Sequence, residues 1–332
     1  MRVVFFTPYY KQNRGNSTTA KRLEHGLSDK VELSLFPYEE TSVNTTLLQW
    51  MEKADLYHIL HFSRFVQWAD KNEITLDKPY IVTSGGTDLN HSLKEDEERY
   101  LPLLQKAKAI TVFTQQAKQM LVKEYGLSDQ SIHVIPQSIY LPTTDHKSEA
   151  FTLPAGYPKL LLPAGIRPVK DVLFALNSLI RLSTDFSKLC FLIVGANLDK
   201  EEFERVKKAE TMYEWLHYLP EVELGKMKKL YEWGDVVLNT SISEGQPTAL
   251  LEAMSFRKPV IARDNDGNAS IIQHGMNGLL FQSHEELYHS IKNVISDQET
   301  YEQLSANGYQ TIKENHTIKK EIDSFMELYK DE

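Results

Sequence analysis

The sequence predicts an α/β protein of two doubly wound domains facing a central cleft, and three observations carry that prediction. Short apolar, β-branched runs alternate with longer amphipathic stretches through the 332 residues, the pattern of βαβ units and parallel sheets. The alternation breaks once, over Gln137–Pro158, where Pro142, Pro154, Gly156 and Pro158 stand among Thr, Asp and Ser, as in a linker. The length suits two domains at about 100–200 residues each, and 41% hydrophobic with 25% charged residues is an ordinary globular mixture.

In order along the first half, strands are expected near Val3–Thr7, Val31–Phe36, Leu56–Leu60, Tyr80–Thr83, Ala109–Phe113 and His133–Ile135. Helical patterns lie between them, for example Ser17–Leu27, and Thr114–Tyr125 with Gly126 at the position of a C-cap glycine. After the linker the alternation restarts with Lys159–Pro163, Leu189–Val194, Val236–Asn239, Pro259–Ala262 and Gly278–Phe281. One closing helix is expected over about Thr311–Tyr329, with Ile312, Ile318, Ile322, Phe325 and Leu328 at helical spacing.

Composition removes several function classes. The chain has 37 basic and 46 acidic residues, a formal charge of −9, which argues against a nucleic-acid partner held by bulk electrostatics. Cys190 is the single cysteine, so a disulfide framework is excluded. Its place in the run Leu189–Val194 makes it a buried, inert thiol. The N-terminal apolar stretch, Val3–Phe6, is too short for a signal-peptide core, and a cytoplasmic protein is expected.

In open α/β sheets, ligands bind beyond the carboxyl ends of the strands, so chemistry is sought in the loops there. The most informative segment runs from Val236 to Met254: a buried strand, a polar loop with Glu244, then Gly245-Gln246-Pro247-Thr248 opening a helix that carries Glu252. Proline suits a first helical turn. The amides at that helix start form an anion site. Carboxylates at both ends of an anion site make sense if the ligand also carries hydroxyls. Glu252 can accept two hydrogen bonds from a ribose-like diol and Glu244 can do so from a hexose, and a nucleotide-sugar offers both with a diphosphate between. Arg167 and Lys170, in the loop after Lys159–Pro163, suit that diphosphate, the guanidinium as a fork and the ammonium as a point charge. In the first domain, Gly15 and Asn16 join the first strand to its helix, and Ser84-Gly85-Gly86-Thr87-Asp88 forms a tight loop presenting Asp88.

Ser243–Met254 resembles the Glu-x7-Glu segment of the retaining GT-B glycosyltransferases of family 4. Lys258–Ala262 and Gly275–Phe281 extend the likeness, and Gly165-Ile166-Arg167-Pro168-Val169-Lys170 is similar to that family's phosphate loop. Gly85–Asn90, Arg167–Asp171 and Gly267-Asn268-Ala269 resemble its small glycosyltransferase 1 domain-containing branch, which is similar to selenosugar synthases. The resemblance implies an acceptor-side Rossmann-like domain over residues 1–145, a nucleotide-sugar domain over 155–314, and a helix over 315–332 returning to the first. It implies a retaining hexosyltransferase that needs no metal or other cofactor, with a UDP-linked sugar as donor and a small molecule as acceptor. Arg167, Lys170, Glu244 and Asp88 are the implied catalytic residues. Gly15, Asn16, Gly86, Gly245, Gln246, Pro247, Thr248 and Glu252 join Arg167, Lys170 and Glu244 in holding the donor. Many relatives carry a histidine where this chain has Gly85. That departure leaves open a weakly active or inactive nucleotide-sugar-binding protein, and glycosylation of a small anion is the other alternative, with Lys11 and Arg14 as its cations. A membrane role is not favoured, because the first domain lacks a clearly basic amphipathic helix.

Two constellations are read as structural. Asp264-Asn265-Asp266 precedes Gly267-Asn268 and forms a polar turn. His58-x-x-His61, on an expected strand, directs its two rings to opposite faces and is no metal pair.

Overall fold

The computed structural model describes residues 1–12, 14–142 and 151–330, so residues 143–150 of the expected linker, Asn13 of the first loop and the last two residues lie outside the described residues. Among the described residues twelve strands form two sheets: β1 (Arg2–Thr7), β2 (Glu32–Pro37), β3 (Leu56–Leu60), β4 (Tyr80–Thr83), β5 (Ala109–Val112), β6 (Ile132–Val134), β7 (Lys159–Pro163), β8 (Cys190–Val194), β9 (Leu216–Leu219), β10 (Val236–Asn239), β11 (Val260–Arg263) and β12 (Leu279–Phe281). The chain divides into one unit of Met1–Tyr140 with Asn315–Glu332 and a second of Leu141–Glu314.

The first sheet has the order β2-β1-β3-β4-β5-β6 and the second β12-β11-β10-β7-β8-β9. Every strand pair is parallel. Parallel sheets are covered by helices on both faces, which is why their strands are apolar throughout. The first sheet shows this by alternation: Val4, Phe6, Tyr57, Ile59, Val82 and Ile110 enter one core, while Val3, Phe5, Leu56, Leu60, Ile81 and Ala109 enter the other. The strand order reverses between β1 and β3 in the first sheet and between β7 and β10 in the second. Adjacent loops leave in opposite directions at such a point and open a crevice at the carboxyl edge.

Two expectations need correction. Leu216-His217-Tyr218-Leu219 is a strand that the apolar pattern does not announce; it lies at the edge of its sheet, where polar side chains are tolerated. The closing helix is two helices, Gln298–Asn315 and Ile318–Lys330. The chain turns at His316, whose Nδ1 meets the Gln137 carbonyl at 2.7 Å, and Thr317 Oγ1 accepts from the Lys320 amide to cap the second helix. That helix packs on the first unit, with Ile322, Phe325, Leu328 and Tyr329 in its core. Beneath it Arg22 and Glu321 form a fully buried ion pair, Nε to Oε2 2.9 Å, and Glu321 Oε2 also accepts from the Ser138 amide and hydroxyl. Cys190 is buried in β8, which pushes its thiol up to about 11. Among the described residues no helix is long and apolar enough to cross a membrane.

Candidate active site

At the reversal of the second sheet, two loops are stitched together before any side chain reaches outward. The loop after β7 makes one tight turn over Pro168–Lys170. The Val169 carbonyl accepts from the Ile242 amide at 2.9 Å, and the Lys170 carbonyl accepts from Thr240 Oγ1 at 3.0 Å. This fixes Lys170 against the loop after β10. Its ammonium donates to Glu244 Oε1 at 2.5 Å, and the same oxygen accepts from Ser241 Oγ at 2.7 Å and Asn239 Nδ2 at 3.2 Å. Burial raises the Glu244 carboxyl, but the Lys170 charge and these hydrogen bonds outweigh it and hold the group below the usual carboxylate range. The result is a largely buried, ionised carboxylate with a cation against it.

A third loop closes on this pair. Asn265 Nδ2 donates to the Ser241 carbonyl at 2.8 Å, and Gly267 lies so close that a Cβ there would come within 2.5 Å of the Glu244 carbonyl oxygen. Asn265 also caps the short helix Asp266–Ala269 by accepting from the Asn268 amide, so Asp264-Asn265-Asp266 works here as a turn and cap. Arg263 Nη1 pairs with Asp171 Oδ2 at 2.9 Å, tying β11 to the end of the loop after β7.

The helix after β10 is Thr248–Ser255. Pro247 precedes its first turn, with φ −75° and ψ 109°, rather than lying within it. No side chain caps this helix start and its first turn holds no acid, so its amides remain an anion-binding end. Gln246 is buried beside it, its amide 3.4 Å from Ser270 Oγ. Glu252 is buried too, and Oε2 accepts from Tyr231 Oη at 2.6 Å. Burial and the neighbouring carboxylate push the Tyr231 hydroxyl well above its ordinary value, so it remains a donor. The structure thus brings Lys170 and Glu244 together directly and sets Glu252 apart on the helix with Tyr231, a partner that nothing in the local sequence marks.

In the loop after β4, the strand next to β3 in the first sheet, the geometry differs from the sequence reading. Asp88 is fully buried. Its Oδ1 accepts from Ser84 Oγ and the Leu89 amide, and its Oδ2 from the Phe62 and Gly85 amides, at 2.8–3.2 Å. A carboxylate with four donors has little capacity left for substrate, so Asp88 acts as the knot of the loop rather than a group presented outward. Gly86 has φ 94°, a conformation that suits glycine. Gly15 opens the helix Gly15–Leu27, and a Cβ there would meet nothing within 4 Å. Packing within the unit therefore does not require glycine at 15, and its face is open.

The residue that sequence reasoning passed over is His61. It directly follows β3 and adopts φ 68°, ψ 80°. A Cβ at Gly85 would lie 3.2 Å from its ring and 3.0 Å from Asn16 Oδ1, so His61, Asn16 and the glycine loop converge. His58, by contrast, is buried inside the unit, bonded to Tyr329 Oη at 2.6 Å and Thr83 Oγ1 at 2.7 Å.

The family description "Glycosyl transferases group 1" matches residues 143–311, half of the chain. The chain belongs to this family. Glycosyltransferase 1 domain-containing protein 1 of Xenopus tropicalis is 26% identical over 339 residues, covering 98% of this chain and 96% of that protein. HepE of Anabaena, solved in complex with UDP-glucose, superposes with a TM-score of 0.77 over 98% of both chains at 13% identity. Sucrose-phosphate synthase of Thermosynechococcus elongatus does so with a TM-score of 0.73 over 98% of both at 15% identity. The two parallel-sheet domains of this group 1 glycosyltransferase are those of the GT-B fold.

Proposed function

We propose that this chain is a retaining, metal-independent transferase that moves a hexose from a UDP-linked donor to a small hydroxyl acceptor. The observation that carries the reading is the Lys170–Glu244 pair at the strand-order reversal of the second sheet, with Lys170 in the loop that also carries Arg167 and Glu244 shortly before an uncapped helix start. UDP-glucose in the similarly folded HepE supports the donor class.

In this reading Arg167, Lys170 and the amides at Gly245, Gln246 and Thr248 receive the diphosphate. Glu252 accepts from the ribose diol and Glu244 from sugar hydroxyls. The bond from the anomeric carbon to phosphate breaks with its electron pair leaving on UDP, and the bond to the acceptor oxygen forms on the same face. The acceptor's proton passes to the departing phosphate. No enzyme nucleophile is required, and stabilising the departing charge is the main catalytic contribution. Two cations and the helix dipole supply it, the role a divalent ion would otherwise fill.

A second reading concerns the acceptor. Arg14 and Arg64 both lie over the ring of Tyr9, at 4.3 and 5.5 Å from its centroid, and Arg64 Nη1 donates to Tyr9 Oη at 3.2 Å. Two cations gathered on one ring beside the first loop favour a small anionic acceptor, such as one bearing a phosphate.

Purified protein is incubated with UDP-, GDP- and ADP-sugars, with and without chelator, while nucleoside diphosphate release is followed. Release from UDP-sugars that survives chelation is expected. No release and no thermal shift with any donor refutes the transferase reading, a shift without release leaves a nucleotide-sugar-binding protein, and loss of release with chelator refutes metal independence.

A further inference from the structure

We propose that His61 contacts the acceptor, its Nε2 accepting a hydrogen bond from an acceptor hydroxyl next to the one glycosylated, and so orienting the reacting oxygen. The inference rests on the transferase reading and adds an acceptor class to it: a compound with at least two hydroxyls.

Position comes first. His61 is the first residue beyond β3, and β3 lies next to β1 where the strand order of the first sheet reverses, the place where open α/β sheets receive ligands. Its conformation comes second. A positive φ is uncommon for a residue with a side chain, and holding one costs on the order of 1–3 kcal/mol. The surroundings enforce it from every side. The His61 amide donates to the Thr83 carbonyl at 2.9 Å, its carbonyl accepts from Tyr38 Oη at 3.2 Å, and the next amide, of Phe62, is held by Asp88 Oδ2. The buried acid that the sequence marks as reactive is therefore spent partly on fixing this histidine.

The space around the ring is third. Gly85 supplies no side chain, and any Cβ there would press on the imidazole and on Asn16 Oδ1. The ring's Nδ1 faces Asp88 Oδ2 at 3.9 Å and Ser63 Oγ at 3.5 Å, and neither contact uses Nε2. With the proton on Nδ1, opposite the carboxylate, Nε2 is a lone-pair acceptor. Burial and the Arg64 charge favour the neutral ring, Asp88 and Glu39 oppose them, and the net direction is downward. A neutral ring can accept from a hydroxyl, whereas a protonated one can only donate. No proton is transferred to His61; the reacting proton still goes to the leaving phosphate.

The test uses the whole chain, UDP-glucose, and glucose, galactose, glycerol and glycerol 3-phosphate as acceptor probes. Asn tolerates positive φ, so His61→Asn removes the imidazole and keeps the backbone; His61→Gly serves if that variant fails to fold. Transfer to the best acceptor should fall about 10-fold in kcat/KM, the value of one hydrogen bond, with UDP affinity within about twofold of wild type. Removing the neighbouring hydroxyl from that acceptor should cost wild type the same factor and cost His61→Asn nothing more. Gly85→Ala should raise the acceptor KM in wild type but leave it unchanged in His61→Gly. Equal losses on deoxy acceptors in wild type and variant overturn the proposal, as does UDP release into water with none of the four probes accepted. Failure of UDP-glucose to bind or react at all overturns the underlying transferase reading instead.

Discussion

Replacing Lys170 by Met is the sharpest perturbation of the Lys170–Glu244 pair. Lys170 and Glu244 side chains are 17% and 11% exposed, between the open surface, where a pair contributes about 0–1 kcal/mol, and the deep interior, where breaking one costs about 3–5 kcal/mol. A loss of about 2 kcal/mol at pH 7.5 is expected. The pH dependence of that loss carries more information than its size. In wild type the Glu244 carboxyl lies below its ordinary 4.5, so the stabilisation it gives is present above that value and is lost as pH falls through the folded pKa. Without Lys170, only Ser241 and Asn239 oppose the burial that raises it, and the folded pKa moves above the unfolded one. Such a carboxyl binds its proton more tightly in the folded state, so its contribution falls as pH rises. The deficit of Lys170→Met relative to wild type should therefore shrink to less than half between pH 7.5 and 4.5. Urea unfolding at the two values measures it, and a deficit independent of pH refutes the ionised pair. Turnover of the same variant should drop about 100-fold if Lys170 stabilises the departing phosphate.

Gly267→Ala should cost about 1–3 kcal/mol by overpacking the Glu244 backbone and should raise the donor KM, checked by thermal melting and initial rates. Glu321→Gln strands the buried Arg22 guanidinium and should cost about 3–5 kcal/mol in urea unfolding, whereas the paired change Arg22→Met with Glu321→Leu should cost much less. Burial lowers His58 to about 3, from 6.5. The unfolded state then binds more protons as pH falls through 6.5, and stability should fall from this group with a slope that approaches about 1.4 kcal/mol per pH unit between about 5.5 and 4. His58→Asn should remove that part of the slope.

The fold was legible because parallel strands are buried on both faces and read as continuous apolar runs, as Leu160–Leu162 and Val236–Leu238 do. Edge strands escape that logic, which is why Leu216–Leu219, with His217 and Tyr218 inside it, went unread. The break at His316 went unread for a different reason: it is set by a contact with Gln137, far away in sequence. In the second unit, Arg167, Lys170, Glu244 and Glu252 could be named as candidates from strand–loop–helix context, which the chain's own order supplies. Their partners Tyr231, Asn239 and Ser241 carry no motif and meet them only once the chain is folded.

His61 and Asp88 show the same limit from opposite sides. Asp88 follows two glycines and looks presented, yet the four donors that take up its oxygens come from Phe62, Ser84, Gly85 and Leu89. Three of those are within four residues in sequence; the one that changes its meaning, Phe62, is 26 residues away. His61 looks like an incidental neighbour of His58 until the strand order is known, because only the adjacency of β3 to β1 places it at the reversal. A sequence gives the end of each strand but not which strands are neighbours. The acid therefore reads as chemistry and is taken up in holding its own loop, while the histidine reads as scaffold and stands at the strand-order reversal. In an open parallel sheet, assigning roles to loop residues requires the strand order first, and residue type second.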